Sequence, residues 1–261
     1  MEKVSIIIPV YNGERYLDDT IQSCLNQTYE NKEIVIIDDG SSDSSGTIVE
    51  RYRSHERIIV NKNEKNMGLM FTLNKGLGLA SGTKVLPIGQ DDLLTIDHIE
   101  KAMKSFEDNV VFVFNNPMRI DENGNEVGRV LSKEDIEIIL NDVKYSISKS
   151  CCIPSTGAVI DKNKLLECGG YDTRFKNYGE WIVWIKLLSK GECRYLDNSG
   201  AFYRTHAGNL TSTQLEHGIK NVELTRYQLY CLKTALRYLN VVGLKRAYLL
   251  LRYIVKCGNC F

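Results

Sequence analysis

The stretch from Glu33 to Asp43 reads E-I-V-I-I-D-D-G-S-S-D, and it decides the fold class of this chain. Four β-branched apolar residues, Ile34 to Ile37, precede two carboxylates and a glycine. Such a run is typical of a strand covered on both faces, as in a parallel sheet under helices. Because ligands bind beyond the carboxyl ends of such strands, Asp38 and Asp39 are predicted to be hydroxyl acceptors or ion ligands. A simple Asp-Gly turn is the alternative explanation.

The same alternation of strands and helices continues on both sides of this stretch. A strand and its following helix recur about every 25–30 residues, a spacing that indicates repeated βα units. The predicted strands are Val4–Val10, Glu33–Ile37, Arg57–Val60, Lys84–Ile88 and Val110–Phe114. Further along, Ile153–Ile160 is predicted to be a strand and Gly179–Ser189 a helix, and two helices are predicted from about Leu215 onward.

The composition excludes several classes of protein. The 261 residues include 33 basic and 33 acidic residues, so no net field favours a nucleic-acid partner. No apolar run is long enough for a membrane span, and the N-terminus does not resemble a signal peptide. We therefore predict a cytoplasmic protein, in which the eight cysteines are reduced and mostly structural.

Four polar segments follow the predicted strands or lie in the loops between them. They are Pro9–Asn12, Asp38–Asp43, Asn66–Gly68 and Gln90–Asp92. The carboxyl ends of parallel strands meet at one edge of a sheet, so these segments are predicted to line one crevice. Each segment alone is a weak signal, but their order and spacing restrict the possible families.

In this order, the four segments resemble the family 2 glycosyltransferases of the GT-A fold. Three downstream motifs match later signatures of the same family: Gly169-Gly170-Tyr171-Asp172, Gly179-Glu180-Trp181 and Tyr203-Arg204-Thr205-His206. The resemblance covers about residues 3–212. It implies an α/β GT-A (Rossmann-like) nucleotide-diphospho-sugar transferase fold, with a mostly parallel central sheet and C-terminal helices.

The resemblance also implies a division of the chain. Residues 1–212 are predicted to form the GT-A domain, in which 1–92 are the nucleotide-binding half and 93–212 the acceptor half. Residues 213–261 are predicted to be a C-terminal helical extension. The implied donor is a nucleotide sugar, with a UDP-sugar favoured. The implied substrate-binding residues are Pro9, Tyr11, Asp38, Asp39, Gly68, Asp91 and Arg204.

A divalent cation is predicted as the cofactor, either Mn²⁺ or Mg²⁺. A diphosphate beside so many carboxylates would be repelled unless a cation lay between them. By resemblance, Asp92 and His206 are the metal ligands, and Asp91 lies near the ribose or the donor sugar. The family usually has a further aspartate where this chain has Gly89, which leaves metal affinity and donor choice open.

By the same resemblance, Glu180 is the general base. An inverting transfer needs a base to take the proton from the acceptor hydroxyl as that oxygen attacks the anomeric carbon. The alternative is an acid in the first turn of a helix, favoured by the helix dipole. If Glu180 is not the base, Asp172 is the next candidate. The acceptor implied is a saccharide or lipid-linked hydroxyl in the synthesis of cell-surface polysaccharide.

Two other functions are compatible with parts of the sequence. A sugar-nucleotide nucleotidyltransferase has a similar core, but it begins with a glycine-rich basic loop, and residues 9–15 read P-V-Y-N-G-E-R instead. A non-catalytic subunit that binds nucleotide sugars is the second alternative. Its only support is the carboxylate missing at Gly89.

The C-terminal stretch Gln228–Phe261 carries an uncompensated positive charge. Six basic residues and no acidic residue lie between Gln228 and Lys256, mixed with leucines and tyrosines at helical spacing. This pattern predicts either helices that pack on the catalytic domain or a surface that contacts anionic lipid. On the second interpretation, the protein is peripheral on the inner membrane face.

Overall fold

A seven-stranded sheet forms the centre of the fold in a computed structural model, which describes residues 1–175, 179–197, 200–209 and 222–258. The strands in chain order are β1 (Val4–Val10), β2 (Lys32–Asp38), β3 (Ile58–Lys62), β4 (Lys84–Pro87), β5 (Leu93–Leu94), β6 (Val110–Asn115), β7 (Met118–Ile120), β8 (Glu126–Arg129), β9 (Val159–Asp161), β10 (Glu192–Leu196) and β11 (Ala201–Arg204). The central sheet has the order β10-β6-β9-β4-β1-β2-β3. All of its strands are parallel except β9, which runs antiparallel to β4 and β6.

Ten α-helices cover the sheet or extend from it in the described parts of the chain. They are α1 (Leu17–Leu25), α2 (Ser45–Arg51), α3 (Leu69–Leu79), α4 (His98–Lys104), α5 (Lys133–Asn141), α6 (Val143–Lys149), α7 (Lys162–Glu167), α8 (Glu180–Leu187), α9 (Val222–Tyr238) and α10 (Gly243–Gly258). No helix within the described ranges is long and apolar enough to cross a bilayer.

The five strands predicted for the first half of the chain are confirmed, and the burial of β2 explains why its sequence is informative. Every residue of β2 is buried, because helices cover both faces of the sheet. On one face, Val35 and Ile37 pack in the same cluster as residues of α3 and α8. On the other face, Ile34 and Ile36 pack with residues of α1 and α4. The predicted parallel sheet under helices is therefore present.

The predicted strand Ile153–Ile160 is wrong over most of its length, because only Val159–Asp161 is strand. Gly157 interrupts it with a backbone φ of +79°, and a Cβ at this position would lie 2.5 Å from the Asn115 amide nitrogen. Residues 153–156 consequently form a loop at the carboxyl edge of the sheet. The two C-terminal helices are present, although their predicted start near Leu215 lies outside the described residues.

A smaller four-stranded sheet brings distant parts of the chain to the same edge. Its order is β5-β11-β7-β8, and Leu94 pairs with Ala201 across β5 and β11. Because β5 directly follows Asp92, this pairing places Asp92 beside the end of β11, where Arg204 lies. The second sheet thereby connects the two halves of the predicted catalytic region.

Candidate active site

A cleft of about 350 Å³ lies at the carboxyl edge of the central sheet. The described residues that line it come from the ends of β1 and β4, from α3 and α8, and from residues 153–156. Four residues predicted from the sequence are among them: Pro9, Asp91, Asp92 and Glu180. The structure therefore brings the predicted metal ligand Asp92, the predicted substrate-binding residue Asp91 and the predicted base Glu180 into one cavity.

The carboxylate of Asp92 is enclosed by protein, and the residue is only 4% exposed. The backbone N–H of Arg204 donates to its Oδ1 at 3.0 Å, and the Thr156 hydroxyl donates to its Oδ2 at 2.9 Å. Burial raises the pKa of Asp92 well above its usual range, and the neighbouring charge of Asp91 adds to this effect. This geometry is that of a side chain that holds the site together.

Asp91 and His206 form a pair at the cleft. The Nε2 atom of His206 lies 2.9 Å from the Asp91 Oδ2, and the Asn209 amide donates to the same oxygen at 3.1 Å. The backbone N–H of Gly208 donates to His206 Nδ1, which leaves the ring proton on Nε2 when the imidazole is neutral. The ring also packs 5.0 Å from the ring of Tyr16, which fixes its orientation.

In the part of the chain that the structure describes, no three His, Cys, Asp or Glu side chains form a ready metal cluster. Asp91 and His206 would supply one oxygen and one nitrogen donor, a combination that suits a divalent ion such as Mn²⁺, once the ion replaced the Nε2 proton that His206 shares with Asp91. Two protein donors are enough only if other ligands, such as diphosphate oxygens, complete the coordination. On this geometry, Asp91 is better placed than Asp92 to contact a metal.

Arg204 lies beneath these acids and is buried. Its Nε donates to the backbone carbonyl oxygen of Asp91 at 2.9 Å, and its guanidinium carbon lies 4.5 Å from the centre of the Tyr16 ring. The hydrogen bond from Arg204 holds the backbone of Asp91 in place. The predicted substrate contact of Arg204 stays a prediction.

The two carboxylates after β2 have different environments. Asp39 accepts hydrogen bonds from the Asn63 amide at 2.7 Å and from the backbone N–H groups of Met67 and Gly68 at 2.9 Å. It thereby shapes the loop before α3, where Gly68 has a φ of +92°. Asp38 accepts from the backbone N–H of Ser41 and pairs with the Lys62 ammonium at 3.3 Å.

The loop after β1 is joined to the loop after β2 by side chains that accept from backbone N–H groups. Asn12 donates to the Ser41 hydroxyl, Gly13 to the Ser45 hydroxyl and Glu14 to the Asp43 carboxylate. Tyr11 lies at the start of this fixed loop, and 45% of the residue is exposed. The ring of Tyr11 is therefore available for a flat ligand such as a nucleobase.

Glu180 is the first residue of α8, and it faces the cleft. Burial raises the pKa of Glu180, and a contact with the Ser155 hydroxyl acts in the opposite direction. Asp172, the second candidate for the base, is bonded to the Arg174 guanidinium at 2.5 Å and is not among the described residues that line the cleft. The geometry thus favours Glu180 over Asp172.

Several residues at the site were not predicted from the sequence. Thr156, Asn209 and the link between Asn74 and Tyr171 are examples. The Asn74 side chain bonds both the N–H and the carbonyl oxygen of Tyr171, which is 97 residues away. Tyr171 stands in the motif Gly169–Asp172 and Asn74 in α3, but nothing in the sequence around either residue indicates that the two meet.

Gly89 occupies the position where the family usually has an aspartate, and the space around it explains the glycine. A Cβ at Gly89 would lie 2.8 Å from the Asp91 Oδ1 and 3.1 Å from the Asp92 Oδ2. Any side chain here must displace one of these carboxylates. In this chain, the orientation of Asp91 and Asp92 depends on the absence of a side chain at residue 89.

Comparison with known proteins agrees with this geometry. Residues 5–169 match the family profile described as Glycosyl transferase family 2, and the chain belongs to this family. It is 27% identical over 221 residues to the UDP-Glc:alpha-D-GlcNAc-diphosphoundecaprenol beta-1,3-glucosyltransferase WfaP of Escherichia coli, with 84% of each chain aligned. Three other bacterial glycosyltransferases match over shorter segments, and the chain spans 15%, 33% and 56% of their lengths.

Solved structures show the GT-A fold. Residues 1–349 of TarS from S. aureus, in complex with UDP-GlcNAc, superpose with a TM-score of 0.75 at 19% identity, covering 97% of this chain and 72% of that one. The mannosyltransferase PcManGT from Pyrobaculum calidifontis, in complex with GDP-Man and Mn²⁺, gives 0.62 at 16% identity, covering 97% and 80%. The predicted fold class is confirmed.

We expect Gly89→Ala to destabilise the protein, because the added methyl group overlaps the carboxylates of Asp91 and Asp92. Overpacking of this kind costs about 1–3 kcal/mol of unfolding free energy. Urea denaturation followed by circular dichroism measures it. The matched control is Gly78→Ala in α3, where nothing lies within 4 Å of the new Cβ and a gain of up to about 1 kcal/mol is expected. Equal effects at the two positions would contradict this explanation of Gly89.

Proposed function

We propose that this protein transfers a sugar, with inversion, from a nucleoside-diphosphate sugar to a hydroxyl of a saccharide or lipid-linked acceptor. One observation carries the proposal: Glu180 and the Asp91–His206 pair flank the same cleft at the carboxyl edge of the sheet. A base and a site for the cation that binds the diphosphate, both on one cavity, are what a single displacement at an anomeric carbon needs.

On this proposal, residues 1–92 bind the nucleotide. Tyr11, which is an exposed residue, is proposed to contact the base, and Pro9, two residues before it, lines the cleft. Asp38 lies at the adjacent strand end, while Asp39 and Gly68 support the pocket through the loop before α3. A UDP-sugar is the favoured donor, in agreement with the ligand of the TarS structure and with the name of WfaP.

For the metal, we propose that Asp91 and His206 are the protein ligands. This differs from the sequence prediction of Asp92, because both oxygens of Asp92 already accept hydrogen bonds. A bound Mn²⁺ or Mg²⁺ would offset the charge that develops on the departing diphosphate. The Mn²⁺ in the PcManGT structure supports a divalent ion in a protein of this fold.

Asp91→Asn should abolish the stabilisation of the protein by UDP that requires Mn²⁺, because one of the two metal donors is weakened. At a UDP concentration 100-fold above its dissociation constant, the wild type gains about 2.7 kcal/mol. Thermal-shift assays with Mn²⁺ or with excess EDTA measure this gain. The control is Lys75→Ala in α3, which should keep the full gain. Stabilisation of wild-type protein by UDP that is equal in EDTA would contradict the metal proposal.

For the chemical step, we propose that Glu180 takes the proton from the acceptor hydroxyl. That oxygen then bonds to the anomeric carbon while the bond to the diphosphate oxygen breaks, and the nucleoside diphosphate leaves with the electron pair. The base must be ionised to act. Since burial raises the pKa of Glu180 above 4.5, the rate should fall with decreasing pH already above pH 4.5.

Glu180→Gln should lower turnover by on the order of 10²–10⁴-fold, because the amide cannot accept a proton. Its affinity for UDP should stay near that of the wild type. Turnover is measured as release of UDP from UDP-glucose or UDP-GlcNAc with a saccharide acceptor. Asp172→Asn is the matched control, and it should retain most activity. Loss of activity in Asp172→Asn with normal turnover in Glu180→Gln would exchange the two assignments.

The acceptor is proposed from the WfaP relationship, since that enzyme's name specifies a GlcNAc-diphosphoundecaprenol acceptor. We also propose a role in cell-surface polysaccharide synthesis, which the same relationship supports. Residues 93–212 are proposed to supply the acceptor side of the cleft, through residues 153–156 and α8.

We also propose that α10 contacts anionic membrane lipid. Its inner side packs on the protein through the buried Leu249, as the packing interpretation predicts. Its outer side leaves Tyr248, Leu250 and Leu251 exposed, and Val242 just before the helix is 75% exposed. Of the basic residues, Lys245 pairs with Asp142, and the exposed Arg246 donates to the backbone carbonyl oxygen of Leu236 at 3.3 Å. Apolar residues beside basic ones are typical of an interfacial helix.

Leu251→Glu should weaken binding to vesicles that contain anionic phospholipid, because it adds a negative charge to the exposed side of α10. Co-sedimentation at low and high salt measures binding, which should also fall with salt. Ile96→Glu, at an equally exposed apolar residue before α4, is the control and should bind like the wild type. Unchanged binding in Leu251→Glu, or none for the wild type at low salt, would leave only the packing role.

A further inference from the structure

Gln90 precedes the Asp91-Asp92 pair, and its side-chain amide bonds both polar backbone groups of Tyr11. The N–H of Tyr11 donates to the Gln90 Oε1 at 2.8 Å. The Gln90 Nε2 donates to the carbonyl oxygen of Tyr11 at 3.0 Å. This two-point contact joins the loop after β4 to the loop after β1, across 79 residues of sequence.

The Gln90 amide is held in place by its surroundings. A Cβ at Gly13 would lie 2.3 Å from the Gln90 Cδ, so the amide lies directly against the backbone of Gly13. The backbone carbonyl oxygen of Gln90 lies 2.8 Å from the hydroxyl of the buried Thr20, which also contacts the carbonyl oxygen of Asp92 at 2.9 Å. Residue 90 is thus anchored on α1 through its main chain, while its side chain reaches Tyr11.

We propose that Gln90 is a positioning residue that fixes the separation between the Tyr11 ring and Asp91. This inference rests on the proposed function, in which Tyr11 contacts the base and Asp91 the metal–diphosphate end of the donor. A nucleoside diphosphate can occupy both sites only where their separation lies within the reach of the molecule. A loop that holds Tyr11 at the matching distance binds the nucleotide without first having to be ordered.

The chemistry of the amide explains why glutamine suits this position. Glutamate has the same shape and accepts from the Tyr11 N–H, but its carboxylate has no proton to donate to the Tyr11 carbonyl oxygen. It would also add a third negative charge beside Asp91 and Asp92. Alanine removes both hydrogen bonds but leaves the main-chain contact with Thr20. Gln90→Glu and Gln90→Ala therefore separate the donated bond from the whole contact.

The test is a double-mutant cycle on UDP affinity with Mn²⁺, measured by isothermal titration calorimetry. Gln90→Ala and Tyr11→Ala are each expected to weaken binding roughly tenfold, within the range of one base–aromatic contact. The double variant should bind within about twofold of Tyr11→Ala, because a misplaced loop matters little once the ring is gone. Gln90→Glu should weaken binding at least as much as Gln90→Ala.

The affinity for pyrophosphate with Mn²⁺ distinguishes a positioning role from a general structural role. A general disturbance of the site would weaken pyrophosphate binding as well as UDP binding. Pyrophosphate occupies the diphosphate end alone, so Gln90→Ala should bind it with the wild-type affinity, even though the loss of two hydrogen bonds lowers the melting temperature of the protein. Additive effects of the two alanine variants, or an equal loss of pyrophosphate affinity, would overturn the positioning role. Failure of wild-type protein to bind any nucleoside diphosphate would instead contradict the proposed function.

Discussion

The buried carboxylate of Asp92 is the interaction on which the arrangement of the cleft depends. It joins the loop after β4 to the N–H of Arg204 at the end of β11 and to the hydroxyl of Thr156. Burial of a carboxylate costs folding free energy unless hydrogen bonds compensate for it. The positions of the Arg204 N–H and the Thr156 hydroxyl are therefore as important for stability as Asp92 itself. Because Asp91 is adjacent to Asp92 and His206 follows Arg204 by two residues, this contact also positions Asp91 and His206.

The acids of the site consequently divide into two groups by environment. Asp39 and Asp92 accept hydrogen bonds from protein groups on both carboxylate oxygens, and they shape the loops around them. Asp91 and Glu180 line the cleft, as Asp92 also does, and the described side-chain bonds of Asp91 are all on its Oδ2. The first group supplies a fixed frame with little freedom to move, and the second is proposed to act on the ligand. A preorganised frame of this kind reduces the entropy that binding must overcome.

Much of the fold could be predicted from local patterns. The apolar run in β2 predicts a strand buried on both faces, because no solvent-facing position interrupts it. The spacing of Ser132 and Asp135 indicates a capping box, and this box is present at the start of α5. The strand predicted over Ile153–Ile160 is wrong over most of its length. The pattern of apolar residues contains no information about the close approach of Asn115 and Ala201 to Gly157. Such a contact depends on residues that are distant in sequence.

The sequence by itself determined the order of strands and helices, the family and the set of acids at the carboxyl edge, because these follow from periodicity and from motifs at strand ends. Both Asp91 and Asp92 line the cleft, and only the tertiary structure decided which protein groups bond to each of them. Asp91 and Asp92 are adjacent and chemically identical, and their environments differ through Thr156, Arg204 and His206, which lie on other strands and loops. The bonding of Gln90 to Tyr11 was decided in the same way, since the pleat and pairing of β1 and β4 set which side chains meet.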